Sequence, residues 1–157
     1  MSIRMASMND FETFIKVRFD YFTAENWKVS VEQREIIESN LRQYYSAYLN
    51  TDFFAAFAEE NNEIASVAFL AISRKPANLS FPTGKIGTIL NVLTYPQYRK
   101  KGYATGAMNA LICEAKRRNL SYLELSSTES GKSLYKKLGF IDSLPSENFT
   151  DMKLSLL

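Results

Sequence analysis

Apolar positions along this chain recur at two intervals, one near 3.6 residues and one near 2, and the changes between them mark out its elements. Phe11, Phe14, Ile15, Phe19 and Phe22 form a helical stripe that opens at Asn9, with Glu12 placed to reach back to the helix start. Ser30 and Gln33 have capping-box spacing ahead of a second stripe, Ile36, Ile37, Leu41, Tyr44, Tyr45 and Tyr48. Two runs rich in Phe, Val and Ile follow at residues 53–58 and 64–72, and the polar turn Glu59-Glu60-Asn61-Asn62 joins them as an antiparallel hairpin. Residues 74–84, with Pro76 and Pro82, read as a loop, and residues 85–94 as the next strand. From Ala104, apolar Ala107, Met108, Leu111, Ile112 and Ala115 predict an amphipathic helix ending in Lys116, Arg117 and Arg118, charges that suit the negative end of its dipole. Short strands are predicted at residues 3–5, 121–126 and 152–157, and a short helix at 130–138, stopped by Gly139. The order β-α-α-β-β-β-α-β-α-β is a mixed α/β fold. Its sheet is mainly antiparallel and locally parallel around the central helix.

Composition narrows the chemistry. A chain of 157 residues without repeats or linkers predicts one domain. No apolar run is long enough to span a bilayer, and the first residues lack a basic then apolar leader, so a cytoplasmic protein without membrane attachment is expected. A formal charge of +2 argues against a nucleic-acid partner. The chain has no histidine and one cysteine, which excludes Ser-His and Cys-His nucleophiles and any cysteine- or histidine-based metal site. Cys113 falls within a helical pattern and is expected to be a buried structural thiol.

One local charge excess stands out. The run TILNVLT leads through Pro96 to Arg99-Lys100-Lys101-Gly102-Tyr103-Ala104, at the start of the central helix. A glycine loop at a helix N-terminus presents backbone N–H groups without intrahelical partners, which suits an anion. Gly102 removes a Cβ that would hold a phosphate away, and Ala104 and Gly106 are expected to leave the first turn open. Neither the Gly-Lys-Ser/Thr ending of a Walker loop nor a three-glycine dinucleotide fingerprint is present.

Together with Leu134-Tyr135-Lys136-Lys137-Leu138-Gly139-Phe140, this stretch resembles the acyl-CoA-binding core of the GCN5-related N-acetyltransferases. The resemblance covers residues 90–140; the first 80 residues match only in the order of elements. It implies a V-shaped splay between two parallel strands, with acetyl-CoA as the cofactor. The backbone of Val92, Leu93 and Thr94 would bind the pantetheine arm, and the amides of Arg99, Lys100, Lys101, Gly102, Tyr103, Ala104 and Thr105 the pyrophosphate. Tyr135 falls where family members place a phenol that protonates the departing thiolate, although a helix aromatic also serves for packing. The family's base is often a carboxylate on the fourth or fifth strand. Here the fourth offers Asn91, suited to orienting a water or the acceptor or to a plain strand hydrogen bond, and the fifth offers Glu124. Tyr21, Glu25 and Trp27, between the first two helices, would line the acceptor side as an apolar slot closed by a carboxylate, or cap the core.

The expected activity is therefore direct acetyl transfer from acetyl-CoA to the primary amine of a small molecule or peptide, without metal. The rival is a non-catalytic acyl-CoA-binding or sensor domain of the same fold. A homodimer is common in such families.

Overall fold

Ser7 opens the first helical segment, two residues before the position that the apolar stripe suggested. Its hydroxyl accepts from the Asn9 amide (3.3 Å) and the Asp10 carboxylate accepts from the Ser7 amide (2.8 Å), so a 3-10 turn, Met8–Asp10, leads into α1 (Phe11–Ala24). Glu12, expected as the reaching residue, instead accepts two hydrogen bonds from Arg42. The second helix, α2 (Val31–Tyr48), starts as its sequence says, with reciprocal bonds between Ser30 and Gln33.

The computed structural model describes residues 1–143 and 150–156. Five strands, β1 (Ser2–Met5), β2 (Phe53–Glu60), β3 (Glu63–Arg74), β4 (Lys85–Thr94) and β5 (Leu123–Glu124), pair in sequential order, antiparallel except for β4 with β5. The parallel pair is joined by α3 (Tyr103–Arg117). The mixed fold with a mainly antiparallel sheet is thus the one expected. The β2–β3 turn shortens to Asn61 and Asn62, both left-handed (φ 53° and 65°), the backbone that a two-residue hairpin needs and that asparagine tolerates.

Alternate residues of β2 feed two cores. Phe53, Ala55 and Phe57 join Phe14, Val17, Tyr45, Val67, Phe69 and Leu93 beneath α1 and α2, with the Phe14 ring 5.2–6.2 Å from Tyr45, Phe53, Phe57 and Phe69. α3 buries Ala107, Met108, Leu111 and Ala115. Its helical stripe leaves Cys113 exposed, not buried as its apolar neighbours suggested, because two residues past Leu111 is the far side of the helix. Gly106 serves packing and does not leave the first turn open: a Cβ there would stand 2.6 Å from Ile3 Cδ1 on β1.

The chain forms two compact units, Met1–Ser126 and Ser127–Leu157. In the second, α4 (Lys132–Lys137) ends at Gly139 (φ 94°) in a Schellman motif: Phe140 N–H donates to Tyr135 O (3.0 Å) and Gly139 N–H to Lys136 O (3.1 Å). Two expected strands change. The one at 121–126 contracts to β5, and residues 152–156 form none, with Met152, Leu154 and Leu156 exposed; Leu157 lies outside the described residues. An alternating pattern marks the faces of a strand but supplies no partner ladder. Among the described residues, no helix is long and apolar enough to cross a membrane.

Candidate active site

β4 loses its neighbour halfway along. β5 pairs only with Gly87 and Thr88, so on that side residues 89–94 have no strand beside them among the described residues. Tyr95 N–H donates to Ala65 O in β3 (3.0 Å), and the Leu93 carbonyl accepts from the buried Ser66 hydroxyl (2.8 Å). Strand alternation therefore turns the backbone groups of Leu93 toward β3 and those of Val92 and Thr94 toward the free edge. The Leu93 side chain is buried in the core. The Thr94 hydroxyl bonds Ser66 (2.8 Å), which pins the strand end.

Past this edge the chain runs through a 3-10 turn, Pro96–Tyr98, into the basic loop. Lys100 (φ 60°) and Gly102 (φ 87°) are both left-handed, and the first intrahelical bond of α3 is Gly106 N–H to Gly102 O (3.0 Å). The amides of Lys100, Lys101, Gly102, Tyr103, Ala104 and Thr105 consequently have no protein acceptor among the described residues. A Cβ added at Gly102 would meet nothing within 4 Å, so the cradle is open on that side. Arg99 folds back to donate to Thr94 O (3.2 Å), and Lys101 sits 5.8 Å over the Tyr98 ring. Tyr103 contributes only its amide: its ring is buried against Tyr98 (5.6 Å), and hydrogen bonding to Glu60 pushes its phenol up to about 12. An open strand edge continuing into a nest of amides fits a ligand with an amide-bearing arm and a diphosphate.

Asn91 has φ 53° at a bulge, where Val67 pairs with Leu93 and Phe69 with Leu90, so β4 carries one residue more than β3. The bulge turns Asn91 inward, 3% exposed, to donate to Val17 O of α1 and to accept from Arg18 Nη1, both at 3.3 Å. Its side-chain amide is therefore engaged at both ends. Arg18 Cζ lies 4.7 Å over the Phe22 ring, Phe22 stacks on Trp27 (5.3 Å), and Trp27 meets Tyr21 edge-on (6.1 Å). Burial pushes the Tyr21 phenol up, with the Glu25 charge acting in the same direction and Arg18 against it. Asn91, Tyr21, Glu25 and Trp27 thus form one neighbourhood, joined by Arg18. Sequence reasoning missed Arg18; its spacing from Tyr21 and Phe22 on the helix was the available signal. Beside Phe22 and Trp27 opens a cleft of about 330 Å³, which Val29, Ile36 and Ile37 also line.

Glu124 is not brought to this neighbourhood. It is exposed and accepts from the Thr88 hydroxyl (3.3 Å) at the closed end of the splay, where it pairs with Thr88, three residues before Asn91 and so roughly 10 Å along the strand. Tyr135 sits in the second unit, its ring 6.0 Å from Phe140 across the Schellman motif.

The acetyltransferase (GNAT) family model matches residues 14–140. Among solved structures, a predicted acetyltransferase from Clostridium acetobutylicum, determined with acetyl-CoA, is 30% identical over 97% of this chain and 95% of its own, with a TM-score of 0.82. A GCN5-related N-acetyltransferase from Ralstonia eutropha superposes at 0.74 with 21% identity, covering 97% of each chain. Glucosamine-6-phosphate N-acetyltransferase from Arabidopsis thaliana shares the fold at 0.64 and 20% identity, over 96% of this chain and 98% of that one. No functionally curated protein matches the sequence.

Proposed function

The chain belongs to the acetyltransferase (GNAT) family, and we propose that it moves an acetyl group from acetyl-CoA directly to the primary amine of an acceptor. The observation that carries this reading is the continuity of the free β4 edge with the open amides of residues 100–105. Bound acetyl-CoA supplies an acyl group activated as a thioester. Val92 and Thr94 hold the pantetheine amides as an added strand would, while the loop amides, with Lys100 and Lys101, hold the diphosphate. The Thr94 N–H, turned to the free edge, stabilises the negative charge that develops on the carbonyl oxygen as the amine attacks. The amine attacks in its neutral form, its ammonium proton having gone to solvent. In the role that the family resemblance implies, Tyr135 gives its proton to the departing sulfur, and its phenolate recovers, through water, the proton that the nitrogen loses as the amide forms. No residue forms a covalent bond to the acyl group.

Asn91 is a carboxamide and no base, and it is engaged with α1, so it orients no acceptor in this scheme; Glu124 stands at the closed end of the splay and supplies no base. Holding amine and thioester together supplies the rate instead. The test is coenzyme A release from acetyl-CoA with a panel of primary amines, each product identified by a 42 Da gain per acetyl, the mass of C2H2O added. Transfer to at least one amine is expected. Tight acetyl-CoA binding without transfer to any amine would overturn the reading.

A further inference from the structure

Arg4, Arg42, Arg74, Arg117 and Arg118 each hold a carboxylate within 2.9 Å. Among the described residues Arg18, Arg34 and Arg99 hold none, and of these Arg34 and Arg99 are exposed while Arg18 is half-buried, its burial drawing the guanidinium below its ordinary value. Among the described residues its one hydrogen bond to protein is from Nη1 to Asn91 Oδ1. Cζ of the group lies 4.7 Å over the Phe22 ring, and the edge formed by Nε and Nη2 has no protein acceptor among the described residues. Two parallel N–H groups on a planar, permanently charged edge match the two oxygens of a carboxylate. A half-buried cation without an anionic partner costs desolvation energy that an incoming anion would offset.

The position of this edge matters as much as its chemistry. Asn91 immediately precedes Val92, whose backbone groups face the free edge, and the β4 bulge exists where Asn91 turns in to meet α1. We infer that Arg18 is a specificity residue, which binds a carboxylate carried by the acceptor on the same molecule as its reacting amine; this rests on the acetyl-transfer reading above. Asn91 is a positioning residue: it holds Nη1 and leaves the Nε/Nη2 edge directed at ligand. Phe22, on which Arg18 rests, also lines the cleft beside Trp27, which suits an apolar portion of the same acceptor.

The test compares paired probes: 4-aminobutyrate with 4-aminobutanamide, β-alanine with its amide, and phenylalanine with its amide. For the wild type, kcat/KM for at least one carboxylate is expected to exceed that of its amide about tenfold or more, mainly through KM. In Arg18→Gln this ratio should collapse toward one, whereas Arg18→Lys, which keeps the charge but loses the planar edge, should retain part of it. A purely structural role for Arg18 would lower both members of a pair together and leave the ratio intact, which would overturn the inference. So would a wild type that acetylates amides as well as carboxylates, a result needing no variant to fold. Failure to acetylate any amine would instead overturn the acetyl-transfer reading itself.

Discussion

Asp10 shows how much one side chain can fix. It caps the Met8–Asp10 turn through the Ser7 amide and accepts both Arg4 Nη1 (2.9 Å) and Nη2 (2.7 Å), so β1 is tied to the start of α1. The Arg4 hydrogen bonds hold its carboxyl below the ordinary value, against the opposing effect of burial. A depressed native value stabilises the fold above the unfolded value, about 3.9, and that contribution is lost as pH falls through the native one. Asp10→Asn is therefore expected to destabilise the protein by about 1–3 kcal/mol at pH 7, with the gap to wild type narrowing below pH 4, as read by urea unfolding at both pH values. A gap unchanged by acid would assign the loss to packing. In the proposed transfer, Tyr135 is the corresponding residue for chemistry. Tyr135→Phe keeps the ring contact with Phe140, so stability should hold while turnover drops roughly ten- to a thousandfold in single-turnover assays. Full turnover would leave the ring as a packing element of the Schellman motif. Arg18 and Asn91 were hard to read from sequence, because their partnership depends on a bulge that places residues 73 apart in contact.

At the scale of elements, periodicity located the three long helices α1, α2 and α3 and strands β2, β3 and β4, because each buries one face or both and so writes its interval into the sequence. Capping chemistry was legible where it was complete, as at Ser30 and Gln33, and misread where Ser7 competed with Asn9 for the same turn. The last two expected strands were least legible, whereas the edge strand β1 was read to within a residue. β5 keeps two residues of an expected six, and residues 152–156 keep none, since a strand at an edge depends on its partner more than on its own pattern. The glycine loop at the start of α3 was expected, its left-handed backbone at Lys100 and Gly102 was not, and Gly102 carries the sharpest element-scale test. Gly102→Val places a branched side chain in the open cradle at φ 87°, so acetyl-CoA affinity should fall at least about tenfold by calorimetric titration. A folded variant with wild-type affinity would remove this loop from the cofactor site.

For the whole molecule, sheet order and chain direction converge on the end of β4, where a strand edge opens and a helix of 15 residues begins just past it. The motif there was readable because backbone geometry demanded particular residues, a left-handed glycine above all. The proposed acceptor side left a fainter trace, since aromatic and charged residue types such as those at Tyr21, Phe22, Glu25 and Trp27 are used for packing and for recognition alike. The most direct measurement is a titration of the ¹⁵N-labelled protein with coenzyme A, following every backbone amide. The largest shifts are expected at Val92 and Thr94 and at residues 100–105, with the Leu93 amide, turned to β3, moving less. Saturation that leaves those amides unmoved, or moves a different face of the protein, would contradict the site.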